Sequence, residues 1–425
     1  MRGRRSKKRG RGRTKKQEEG EEEEVEASGG RDYISELPQT IVIDILTRLP
    51  FKTIFSCRCV SKTWLSLVLD PSFSQIYHRR ITTGPHPCTS IIIQPLYDPN
   101  KVELLYALDL DKNHNNQLSV THYSATVKFD TKTHLGFDGL EHNLLDSCNG
   151  LILLGAVNER VYVYNPIIGE YVIVRTPKII PPQSVCSRLG FCPKTQVYKV
   201  LLFPRTDFER YQDTPTYVYT LGLEQGHWRS VKVDHNLYLT GCVRYGVYLN
   251  GFIHWVVTSP DVPHYIHSFD VGNECFKLVP PPPEFELPEK YMGPKPEMNL
   301  GVLRGCLAYG EFPLDDIWNL HIWVMKEYGV QVSWTKEYTI KNNLTQEYWF
   351  SPPVPCLQML GLCNNGDISM TFQRERLVSF NPVNQRYRFH RVDGINFLDA
   401  LPYIPCFSSL KDIAKGELVL NARSR

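Results

Sequence analysis

The sequence predicts a small all-α bundle of three helices followed by an all-β body, most simply a six-bladed β-propeller, with a β-sandwich as the alternative. Three observations carry that expectation. Between residues 37 and 49 apolar side chains recur every fourth position, the stripe of one helical face. From residue 85 onward the period becomes two, in aromatic and β-branched runs such as "VELLYALDL", "VYVYNP" and "VYKVLLF" bounded by Gly, Asn and Pro. Along that body a turn marker and a hairpin marker return at a spacing of roughly 45–60 residues, the size of one four-stranded blade.

Composition bounds the possibilities. A chain of 425 residues with 42% hydrophobic and 22% charged residues is ordinary globular material, long enough for more than one domain. No apolar run reaches the 18 or so residues of a membrane span. The N-terminus carries no apolar h-region, an expectation against secretion. Without a secretory signal, Asn343-Leu344-Thr345 has no meaning as a glycosylation acceptor. The 12 cysteines lack framework spacing and read as small buried hydrophobes. The net charge of +3 conceals a diblock: residues 1–16 hold ten Lys/Arg and no acid, and residues 18–26 hold seven Glu. Outside it basic and acidic residues balance, so the folded body gives no reason to expect nucleic-acid binding. Residues 1–32 are expected to be a disordered tail whose basic run serves as a nuclear-localisation patch, a nucleic-acid arm or a solvating segment. That run points to the nucleus, beside or instead of the cytoplasm.

The bundle is expected over residues 33–80. Leu37, Ile41, Ile45 and Leu49 form the stripe of the first helix, and Pro38 suits its first turn. Pro50 ends that helix and opens the next, whose apolar face is Phe51, Ile54 and Phe55. Ser61 is the expected N-cap of the third, with Trp64, Leu65 and Val68 inward and Asp70-Pro71 as its stop. Inside this text lies "FSCRCVSKTW". A zinc site at Cys57-x-Cys59 needs two more ligands at matched spacing, and His78, His86 and Cys88 are too distant and irregular. A redox dithiol wants Cys-x-x-Cys at a helix N-terminus. Both cysteines are therefore expected to be core.

The run Leu37-Pro38, Ile41, Ile45-Leu46, Arg48-Leu49-Pro50, Lys52-Thr53-Ile54, Arg58-Cys59-Val60-Ser61-Lys62 and Trp64 resembles the plant-type F-box. It departs from that pattern at Thr40, Phe51 and Ser56. The resemblance implies docking on the Skp-type adaptor of an SCF ubiquitin ligase, and through it on cullin. The adaptor-binding residues carried over are Leu37, Pro38, Ile41, Ile45, Leu46, Leu49, Pro50 and Ile54. A bundle this small cannot enclose so many apolar side chains, and the remainder forms a surface patch of the kind that marks an interface.

In the body, 85–425, the turn marker is a glycine beside an apolar strand: "SCNGLILL", "LNGFIHWVV", "LRGCLAYGEF" and "LCNNGDISMTF", at Gly150, Gly251, Gly305 and Gly366. The hairpin marker is "VYVYNPIIGEYVIV" and its counterparts. Six blades are expected near 88–130, 145–180, 187–235, 242–283, 299–342 and 354–393, with "FLDALPYIPCFSSL" adding a strand to the first and closing the ring. "SCNGL" at 147–151 and Asn165-Pro166 resemble phrases of the F-box-associated, kelch-like domain. That implies capture of a target protein for ubiquitination and degradation, the target itself being illegible.

No nucleotide, zinc-hydrolase or serine-hydrolase motif is present, so neither an enzyme nor a cofactor is expected, and His254 reads as a sheet histidine. Competing readings are a carbohydrate-binding or enzymatic propeller with the bundle packed in cis, and an adaptor-bound scaffold without a degradation target. The proline-rich stretch 280–298 and the inserts near 205–215 and 259–264 are inter-blade spacers or recognition loops, while Trp318, Trp323, Trp334 and Trp349 cluster in one blade, mostly as core packing, with one on a face able to serve as an anchor.

Overall fold

The computed structural model describes residues 37–83, 90–96, 104–108, 121–123, 127–131, 135, 142–156, 160–177, 185–204, 215–223, 227–232, 246–257, 265–283, 299–313, 319–341, 357–363, 365–372, 376–392, 395 and 397–421. The tail 1–32, most of the proline-rich stretch, the two polar inserts, Trp318 and Trp349 lie outside these residues. The chain divides into two compact units, residues 1–42 and 43–425.

Helices α1 (Gln39–Leu46), α2 (Phe51–Cys57) and α3 (Lys62–Val68) stand where the sequence predicts them. Ser61 caps α3, its hydroxyl accepting from Trp64 N at 3.2 Å. The inward residues of α3 are Leu67 and Val68, while Trp64 and Leu65 are only half-buried. Asp70-Pro71 does more than stop α3. Pro71 opens a further helix, α4 (Pro71–Thr83), which the sequence pattern does not separate. Asp70 caps it by accepting from Ser72 N at 2.7 Å, and proline at the first position loses nothing.

The β body is a six-bladed propeller. Blade 2 joins β5 (His142–Cys148), β6 (Leu151–Ala156), β7 (Arg160–Asn165) and β8 (Glu170–Arg175); blade 3 joins β9 (Val185–Cys192), β10 (Val197–Pro204), β11 (Thr216–Thr220) and β12 (Arg229–Val231). Blade 4 joins β13 (Val247–Leu249), β14 (Phe252–Val257), β15 (Tyr265–Asp270) and β16 (Cys275–Val279). Blade 5 joins β17 (Asn299–Leu303), β18 (Cys306–Glu311), β19 (Asn319–Met325) and β20 (Trp334–Lys341). Blade 6 joins β21 (Leu357–Leu362), β22 (Ile368–Phe372), β23 (Arg376–Asn381) and β24 (Arg386–Val392). The predicted marker glycines all turn through positive φ between the first two strands of their blades. At Asn149-Gly150 and Asn250-Gly251 both residues do so, the signature of a two-residue type I′ hairpin.

Closure is as the sequence predicts. Blade 1 holds β1 (Ser90–Leu96), β2 (Leu104–Leu108) and β4 (Val127–Asp130), and β25 (Phe397–Tyr403) joins it antiparallel to β1, from Ser90 opposite Tyr403 to Leu96 opposite Phe397. Two small strands depart from expectation. β3 (Thr121–Tyr123), placed by the sequence in blade 1, instead runs parallel to β24 on the edge of blade 6. β26 (Leu420–Asn421) extends blade 2 beside β8.

Blades pack face to face, so their strands are apolar on both sides. Leu201, Phe203, Ile253 and Trp255 fill the space between blades 3 and 4, and Ile266, Leu300 and Trp323 that between blades 4 and 5. Trp323 and Trp334 are core, as expected for most of that cluster. Within the second unit, α2 meets blade 1 through Phe55, edge-on to Phe129 at 6.1 Å, and Arg58 donates to the Ile167 carbonyl of blade 2.

Candidate functional site

Helix α1 is apolar over most of its surface, and the fold buries only one side of it. Val42, Ile43 and Leu46 are buried, whereas Ile41 and Ile45, one turn apart, stand 46% and 47% exposed. Leu37, preceding the helix, is 39% exposed. Pro38 starts the helix, its carbonyl accepting from Ile41 N at 2.9 Å and Val42 N at 3.2 Å, and it too is exposed. The i, i+4 row read from the sequence is therefore the bare face of α1 and not its core face.

The remaining predicted adaptor residues divide. Pro50 is exposed, and its carbonyl accepts from Thr53 N and Ile54 N to begin α2. Leu49 is half-buried. Leu46 and Ile54, at 1% and 0% exposure, belong to the core with Phe51 and Val68 and offer no side-chain surface. Two further exposed apolar residues are Val60, which stands in the F-box-like run, and Ile76; neither belongs to a periodic row, so spacing does not mark them as surface. Polar groups edge the bare face. Arg48 bonds Asp44 through Nε at 3.0 Å and Nη2 at 3.1 Å, and these hydrogen bonds hold the Asp44 carboxyl below its usual range. Arg80 of α4 reaches Thr47 Oγ1 at 3.0 Å and Asp44 at 3.4 Å.

The cysteine pair is not a single unit. Cys57 is buried at the end of α2, where desolvation pushes its thiol up. Cys59, expected to be core, is exposed, in the turn after α2 where Cys59 N bonds Ser56 O and Val60 N bonds Cys57 O. Among the described residues no three His, Cys, Asp or Glu side chains gather where they could hold a metal ion, and no helix is long and apolar enough to cross a membrane.

On the propeller, His254 is wholly buried and burial holds it down to about 4. Its neutral ring has one assignment: Nδ1–H donates to the Val247 carbonyl at 3.2 Å, so Nε2 accepts from the Tyr328 hydroxyl at 2.7 Å. Tyr328 itself is 44% exposed, in the turn joining β19 to β20 and beside Phe252 at 5.5 Å. Among the described residues of blades 4 and 5, Leu278 and Val332 are the other exposed large apolar side chains.

Residues 34–75 match the F-box domain profile and residues 100–390 that of the F-box associated beta propeller domain. Among curated relatives from Arabidopsis thaliana, F-box protein CPR1 is 28% identical over 342 residues, spanning 72% of this chain and 74% of that protein. F-box protein At3g07870 is 25% identical over 403 residues, 86% of this chain and 89% of its own. F-box/kelch-repeat protein At3g23880 is 23% identical and is covered over 96% of its length.

Proposed function

Because this chain belongs to the F-box proteins with an F-box-associated β-propeller, a family of SCF substrate receptors, we propose that α1 docks on a Skp-type adaptor while the propeller holds a target protein for ubiquitination. The observation that carries the reading is the bare row Leu37, Ile41 and Ile45, left uncovered by a fold that buries the other side of the same helix. No chemistry is assigned to the chain itself. Its part is to raise the concentration of the target beside the catalytic partner.

Magnitudes set the size of the contact. The three side chains are already half covered, so completing their burial releases about 1–1.5 kcal/mol each. That falls short of an association cost of ~4–15 kcal/mol. The adaptor must therefore also cover Pro38, Pro50 and the open part of Leu49. Leu46 and Ile54 act from beneath by fixing the surface. The basic run 1–16 is assigned to nuclear delivery, which imaging of a chain lacking it checks.

The test is capture of a purified Skp-type adaptor by the full chain. Leu37→Ala with Ile41→Asp should abolish capture while thermal unfolding stays unchanged. Undiminished capture would overturn the assignment.

A further inference from the structure

The two phrases that mark blade 2, "SCNGL" and "NP", play no part in the bare face of α1, and both meet the same partner. Gly150 turns at φ 85°, and a Cβ there would sit 2.5 Å from the Ile404 carbonyl and 2.6 Å from Cys406 N. Only glycine lets that chain pass. Asn165, fully buried, donates from Nδ2 to the carbonyls of Cys406 at 3.1 Å and Ser408 at 2.9 Å, while its Oδ1 accepts from Ile167 N. At the start of β8, Glu170 Oε2 accepts from the Ser409 hydroxyl and from Leu410 N, both at 2.7 Å, which anchors the one-turn helix α5 (Leu410–Ile413). Blade 3 holds the far end: Gly222 lies against Lys415, and the Tyr219 hydroxyl donates to Glu417 at 2.7 Å.

The other side of the segment touches the helices. Phe407, fully buried, stands edge-on to Phe73 at 5.5 Å and Tyr77 at 5.1 Å, and the Ser408 hydroxyl donates to that of Ser74 at 2.7 Å. All three partners lie on α4. The segment also follows the closing strand β25, past residue 390 where the propeller profile stops.

We infer that residues 404–417 are a clasp, that Gly150, Asn165 and Glu170 form its intramolecular docking site, and that the clasp couples α4 to blades 2 and 3. Granting the receptor reading above, a target held by the propeller is thereby fixed in place relative to α4. The clasp itself stands without that reading.

Asn165→Asp separates the two jobs of this side chain. Aspartate keeps the Oδ1 acceptor for Ile167 N, loses both donations to the clasp, and sets a charge against two carbonyls. Hydrogen exchange of the free, full-length chain should then quicken about tenfold or more in residues 410–414 and also in α4, to which the hydrogen bonds of Asn165 do not run, with β6 and β7 still protected. Wild-type protection of α4 while 404–414 exchange freely would overturn the inference, as would no change in either segment. Should blade 2 itself loosen, the same two segments are followed in Phe407→Ala, which leaves the dock intact. Faster exchange in both segments then supports the coupling, and wild-type protection of either one overturns it. Exchange is measured without adaptor, so a failed adaptor reading leaves the result unaffected.

Discussion

Helix α1 and strand β14 are both nearly continuous apolar text, "QTIVIDIL" and "FIHWVV", yet the fold treats them oppositely. In β14, Ile253 and Trp255 are 1% exposed and even His254 between them is buried. In α1, buried Val42 and Leu46 alternate with bare Ile41 and Ile45. A blade has a neighbour on each face, so apolar residues of either parity find cover. Helix α1 has cover on one side only, that of Val42, Ile43 and Leu46. Apolar runs of equal strength thus mean core in one region and an unfinished surface in the other.

Acid should separate the regions most. Burial holds His254 and His267 down to about 4 and His390 down to about 3, all within the propeller. These rings are neutral in the folded state, while the unfolded chain takes up protons below about 6.5. Their contribution is whole above that pH and is lost as pH falls towards 4, up to about 3 kcal/mol for each. The described helices carry a single histidine, His78, half-buried and also lowered by desolvation. Urea midpoints measured between pH 7 and 4 should fall steeply. His267→Phe should remove about a third of that fall, because neither ring nitrogen of His267 has a hydrogen-bond partner. A midpoint independent of pH would refute the account.

Substitutions sharpen the contrast next. Trp255→Ala, which empties a site packed on Phe203 at 5.2 Å, should cost about 3–5 kcal/mol, and Ile54→Ala about 2–5. Ile41→Asp should cost no more than about 0.5 kcal/mol in unfolding, since it sits exposed in the first turn of α1. Adaptor affinity measured by calorimetry should nevertheless fall about 100-fold, since a charge then faces an apolar contact. If Ile41→Asp unfolds the chain as Ile54→Ala does, the two faces of α1 are not distinct.

How much of this was legible follows from the same physics. The row Leu37, Ile41, Ile45 could be read because helical spacing is local, whereas its outward direction came from the family resemblance and not from spacing, since α1 is apolar almost all round. The marker glycines could be read because a tight hairpin, of two residues at Gly150, Gly251 and Gly305, needs its positive φ within a few residues of text. The closing strand β25 could be read because an open ring leaves an unpaired edge. β3 could not: three residues in a polar stretch, paired with β24 at Val392↔Tyr123, carry no periodicity of their own. Asn165 stood out only as part of a phrase, because its partner Cys406 lies 241 residues away.

The smallest expected effect is on a propeller turn. Blades 2 and 4 place Asn before their marker glycine, at φ 44° and 49°, while blade 5 places Arg304 there at φ 50°. Asparagine enters the left-handed region more readily than arginine. Arg304→Asn should therefore stabilise by about 0.5 kcal/mol. Against this stands the loss of a 3.7 Å ion pair to Glu337, which Lys326 also contacts, from a side chain 55% exposed and so of little weight. Chemical denaturation resolves a gain of this size, and adaptor capture should be untouched. A loss of stability would mean that the Arg304–Glu337 pair outweighs the backbone strain.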